Sequence, residues 1–68
     1  MSLETIRDPH NRVMGFVVMD ADGNGVARDA HMKPLGRYNA ERDFTYDAHD
    51  RPFGRSNQLS ALIRRAAD

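Results

Sequence analysis

Asp8-Pro9-His10-Asn11-Arg12-Val13-Met14-Gly15, Asp29-Ala30-His31-Met32-Lys33-Pro34-Leu35-Gly36 and Asp47-Ala48-His49-Asp50-Arg51-Pro52-Phe53-Gly54 align without a gap. Their shared form is Asp, a small residue or Pro, His, any residue, a cation, Val or Pro, a large apolar residue, and Gly. All 3 histidines of the protein fall at the same position of this motif. A repeat of this kind is read before anything else, because it dictates the architecture. Its physical meaning is a turn followed by a strand. Asp closes a turn through its side-chain oxygen, and the Pro or Ala beside it accommodates a tight bend. The cation and the apolar residue begin the outgoing strand. Gly15, Gly36 and Gly54 permit a bulge, a bend or the close approach of another backbone.

Outward from the repeats, Asp20-Ala21-Asp22-Gly23-Asn24-Gly25 is dense in residues that tolerate positive φ and reverses the chain. Asn39-Ala40-Glu41-Arg42 makes the next reversal. Strands are therefore expected over 4–7, 12–19, 26–28, 35–38 and 43–46, with a short one near Phe53. Residues 13–19 are apolar on both faces, which predicts a central strand covered on both sides. Phe44 and Tyr46 alternate with Asp43 and Thr45, the pattern of a half-buried strand. At 59–66 the period changes. Leu59, Leu62, Ile63 and Ala66 form the stripe of an amphipathic helix over about 57–67. Ser56 or Asn57 caps its start, and Arg64 and Arg65 suit the negative end of its dipole. The expected fold is mainly β within the α+β class. It is an antiparallel meander of short strands from three repeated hairpin motifs, with the C-terminal amphipathic helix packed on the sheet.

Tyr46-Asp47-Ala48-His49-Asp50-Arg51 resembles the tyrosine–aspartate repeat of RHS-type bacterial proteins, whose units read Tyr-Asp, two or three residues, Gly-Arg. The resemblance spans Asp8 to Gly54 at most and implies strand–turn–strand units in a small bacterial-type protein. Asn11, Met32 and Asp50 stand where that family has Gly, and only the third copy carries the Tyr. A chain this short, ending in a helix, does not build the large β shells of that family.

Sixty-eight residues make one domain, 1–68, whose core is small for its surface. Such scaffolds usually rely on disulfides, a metal or a second copy. Cysteine is absent, so no disulfide or thiolate chemistry enters, and a reducing cytoplasm is compatible with that composition. Self-association is expected instead. No apolar run reaches the length of a membrane span, and no signal peptide is visible. Ten cations balance 10 carboxylates, which argues against a dedicated nucleic-acid binder.

Candidate chemistry is sparse. Asp20, Asp22, Asn24 and Gly25 match the first half of a calcium loop, but Arg28 and His31 stand where its later ligands belong. A hairpin turn is the expected reading. His10, His31 and His49 would make a zinc site only if three turns converged, whereas a meander spreads them. No bound cofactor and no enzyme activity are expected, since neither a nucleophile elbow nor an enclosed carboxylate pair is present. The first reading is a small non-enzymatic protein-interaction module, accessory or inhibitory, presenting its turns or an edge strand and forming a homo-oligomer. The alternative is a small nucleic-acid-binding or regulatory protein. It would use Arg37, Tyr38, Phe44, Tyr46, Arg51 and Arg55, cations interleaved with aromatics on neighbouring strands. In the bland version of that cluster Phe44 and Tyr46 face the core, and the arginines pair with Asp43, Asp47 and Asp50.

Overall fold

A computed structural model describes residues 2–67. Six strands follow one another as β1 (Ser2–Arg7), β2 (Val13–Met19), β3 (Gly25–Asp29), β4 (Pro34–Asn39), β5 (Phe44–Asp47) and β6 (Pro52–Arg55). Each pairs antiparallel with its chain neighbour, in the order β1-β2-β3-β4-β5-β6. One helix, α1 (Leu59–Ala67), closes the chain. The antiparallel meander with a packed C-terminal helix is therefore the fold.

Four of the five reversals are the same turn. In Asp8–Arg12, Asp20–Asn24, Asp29–Lys33 and Asp47–Arg51, the first residue exchanges backbone hydrogen bonds with the fourth and fifth. One carboxylate oxygen of the Asp accepts the N–H of the third and fifth residues. The fourth residue is left-handed: φ is 66° at Asn11, 86° at Gly23, 67° at Met32 and 66° at Asp50. This is the three-residue hairpin loop that ends in a left-handed position. The Asp supplies the acceptor that the turn amides need. Asn11, Met32 and Asp50 adopt the conformation that glycine takes at this position, as Gly23 does in the second turn. The fifth reversal differs. Asn39 Oδ1 accepts the Arg42 N–H, and Asp43 is the left-handed residue.

The three repeat hairpins share a second device. Ile6 pairs with Gly15 but Arg7 with Val13, Ala27 with Gly36 but Arg28 with Pro34, and Thr45 with Gly54 but Tyr46 with Pro52. The skipped residues are Met14, Leu35 and Phe53, the large apolar position of the motif. A bulge re-aims its side chain, and all three pack against the core beneath the helix. The β2–β3 and β4–β5 pairs run without a shift.

The core lies on one side of the sheet and consists of Ile6, Val17, Ala27, Leu59, Leu62 and Ile63. The helix approaches β2, β3 and β4 closely because glycines lie beneath it. A Cβ on Gly15 would sit 2.9 Å from Ile63 Cγ2, one on Gly25 2.8 Å from Leu59 Cδ1, and one on Gly36 2.5 Å from Leu62 Cδ1. The helix start is tied to β5 by a buried hydroxyl. Thr45 Oγ1 donates to the Ser56 carbonyl (2.7 Å) and accepts the Gln58 N–H (2.9 Å). Asn57 Oδ1 accepts the Leu59 N–H at 3.1 Å, the cap expected from the sequence.

Two expectations are corrected. β2 lies one strand from the edge, and within the chain only its Gly15 and Val17 face is covered. On β5 the core residue is Thr45, fully buried, while Phe44 and Tyr46 are half-buried on the opposite face. Period-2 alternation identifies two faces but not which one is covered, and the helix settles on the side where the glycines let it approach.

Candidate docking face

Strand alternation and register assign the residues of the uncovered face. They are Leu3, Thr5 and Arg7 on β1, Phe16 and Val18 on β2, Val26 and Arg28 on β3, Arg37 and Asn39 on β4, Phe44 and Tyr46 on β5, and Arg55 on β6. No carboxylate occupies any of these positions. Leu3, Val18 and Val26 line up across three adjacent strands, and Arg37 and Tyr46 continue the same row. Leu3 is 58% exposed, and Phe16, Val18, Val26, Phe44 and Tyr46 are half-buried. The face thus has an apolar half on β1–β3 and an arginine–aromatic half on β4–β6.

The cations of this face are anchored at the turns. Arg7 Nη1 donates to the Asn11 carbonyl at 3.0 Å, and Arg28 Nη1 to the Met32 carbonyl at 2.9 Å. These are equivalent atoms of the first and second repeats. The third repeat has Tyr46 in place of that arginine. Arg37 arrives from β4, its guanidinium 4.8 Å from the Tyr46 ring centre, and binds the Asp50 carboxylate at 2.5 Å. A cation therefore meets the left-handed residue of every repeat turn.

The remaining candidates scatter. Tyr38 lies on the helix side and packs against the core, its hydroxyl donating to Asp43 Oδ1 at 2.6 Å. That bond to a carboxylate is the main reason the phenol is held above its ordinary range. Arg51 belongs to the third turn, where its N–H is bound by Asp47. Of the six residues of the proposed cluster, Arg37, Phe44, Tyr46 and Arg55 share the uncovered face. The expected pairing of arginines with Asp43, Asp47 and Asp50 holds for Arg37–Asp50, the one ion pair among the described residues. Asp47 is instead committed to its turn. The Arg51 N–H, aided by that of His49, holds its carboxyl below the usual range, and Lys33 and His31 do the same for Asp29.

His10, His31 and His49 sit at the third position of exposed turns, each separated from the next by two strands. Among the described residues no group of three or more His, Cys, Asp or Glu is placed to hold a metal. Asp20 Oδ1 is bound to the Asp22 and Asn24 amides, as in any copy of this turn. No helix among the described residues is long and apolar enough to cross a membrane. Two features went unread in the sequence. Asp20-Ala21-Asp22-Gly23-Asn24 is a fourth copy of the turn, and its Asp at position one and Gly at position four were the available signal. Thr45 carried none, since a buried Thr looks like the polar side of a strand. No protein family, curated protein or solved structure matches this chain.

Proposed function

We propose that the chain is a small non-enzymatic interaction module that docks another protein on the apolar half of its uncovered face. The observation that carries this reading is the asymmetry of the sheet. One face is closed by α1, while the other leaves Leu3, Val18 and Val26 in a continuous row with no element of the described residues over them. A row of apolar side chains bounded by a polar rim is what protein contacts use. The free edge of β1 extends the surface. Five of its six residues are exposed, and it contains no proline. The other edge, β6, begins with Pro52, and its Arg55 carbonyl is taken by Gln58 Nε2 at 3.1 Å. An unguarded edge accepts a strand from a partner, and a second copy of the chain is one such partner. The expected setting is the cytoplasm.

The test is a pull-down from native lysate, with and without nuclease, comparing the wild type with Val26→Asp. A discrete protein captured in both arms by the wild type, and lost with Val26→Asp at an unchanged melting temperature, supports the reading. Capture that survives Val26→Asp contradicts it. Light scattering at micromolar concentration decides self-association, and a sharp monomer mass removes it.

A further inference from the structure

Every aromatic residue of the uncovered face stands directly opposite an arginine of the neighbouring strand. Phe16 pairs with Arg28, Tyr46 with Arg37 and Phe44 with Arg55. The three pairs form a belt that crosses the sheet diagonally from β2 to β6. Each joins a flat π surface to a guanidinium, the combination that takes a base and its phosphate from an unpaired strand.

The charge of the belt follows from the turns. Asp8, Asp20, Asp29 and Asp47 each spend a carboxylate oxygen on backbone amides of the turns, and none of them forms an ion pair with an arginine among the described residues. Arg28 and Arg55 have no carboxylate partner among the described residues. A formal net charge of zero therefore conceals a face whose charged strand positions, Arg7, Arg28, Arg37 and Arg55, are all cations. A shallow depression lies along the belt between Arg28 and Arg37. The carboxylates bordering it, Asp47 and Asp50, are committed to the turn amides and to Arg37. The Phe44 and Tyr46 ring centres are 5.4 Å apart at 46°, so the two rings are tilted rather than stacked on each other.

We infer that this belt binds single-stranded nucleic acid, with bases on Phe16 and Phe44 and phosphates on Arg28 and Arg55, the two arginines of the belt without a carboxylate partner among the described residues. A duplex does not fit this chemistry, because its bases are not free to stack on side chains. The belt borders the Leu3–Val18–Val26 row but extends to Phe44 and Arg55, which lie outside it, so Phe44→Leu separates this inference from the protein-docking reading.

The experiment is fluorescence anisotropy with an end-labelled oligothymidylate, titrated with the full chain at several salt concentrations. Two phosphate contacts give a log–log salt slope of about −1.4. The double variant Arg28→Gln/Arg55→Gln is expected to flatten that slope to near zero. Phe44→Leu should weaken binding about tenfold with the slope unchanged, while Arg64→Gln, on the exposed side of α1, leaves Phe44-dependent binding in place. A duplex of equal length should bind at least tenfold more weakly. Equal affinity for the duplex, or displacement of the oligonucleotide by polyglutamate at matched charge, would overturn the inference in favour of a general anion or acidic-protein surface. Absence of salt-dependent binding by the wild type would overturn it outright.

Discussion

The two faces of this sheet are built from the same alternating strands and differ in what their side chains permit. Beneath α1 stand Gly15, Val17, Gly25, Ala27, Gly36 and Thr45, small residues that let a short helix reach the backbone. One residue along these strands, on the other face, stand Phe16, Arg37, Phe44 and Tyr46, too large to admit a helix at that distance. A small domain with one core cannot close both faces from 68 residues. It closes the glycine face, and the face of large side chains is left uncovered among the described residues.

Neighbouring residues on opposite faces give the sharpest test of that difference. Gly36→Val would drive a side chain into the Tyr46 carbonyl and Leu62 Cδ1, and loss of the cooperative thermal transition in circular dichroism is expected. Its neighbour Arg37→Ala is expected to cost less than about 1 kcal/mol, the value of an exposed ion pair. Leu62→Ala, a cavity under the helix, should cost about 2–5 kcal/mol in denaturant unfolding. Thr45→Val keeps the volume but strands the Ser56 carbonyl and the Gln58 amide, and about 1–3 kcal/mol is expected. An equally large loss from Phe44→Leu would break the distinction between the faces.

The turns supply gentler tests. The Asp29 and Asp47 carboxyls are held below their unfolded values by backbone amides. The stability they contribute is present above the unfolded carboxylate range and is lost as pH falls through their lowered folded values. The melting temperature should therefore fall between about pH 4 and still lower pH, and a joint Asp29→Asn/Asp47→Asn variant should show a shallower fall. Smallest of all, Met32→Gly relieves a left-handed non-glycine residue, with φ at 67°, and should stabilise by about 1 kcal/mol. Gly23, which already has the preferred residue at this position, should lose stability as Gly23→Ala.

Most of the fold was legible because turn chemistry is local. Asp, a small residue and a left-handed position announce the hairpins without reference to the rest of the chain, and the period of Leu59, Leu62 and Ile63 announces the helix. The side on which that helix lies was not legible. Phe44 and Tyr46 look like core residues by hydrophobicity alone, and only the close approach over Gly15, Gly25 and Gly36 decides against them. The same gap concealed the arginine–aromatic pairing, because Phe16 opposite Arg28 depends on a register fixed by turn lengths. Charge counting is equally blind to where the charges lie. Carboxylates spent on turn amides do not neutralise arginines two strands away.

Photo-crosslinking in native lysate tests the functional division between the faces most directly, since it requires no change in stability. A photoreactive residue at position 26, on the uncovered face, should yield a discrete protein adduct, and one at position 64, on the outer side of α1, should yield none. Adducts formed from position 64 and not from position 26 would mean that the helix is the working surface and the open sheet is not.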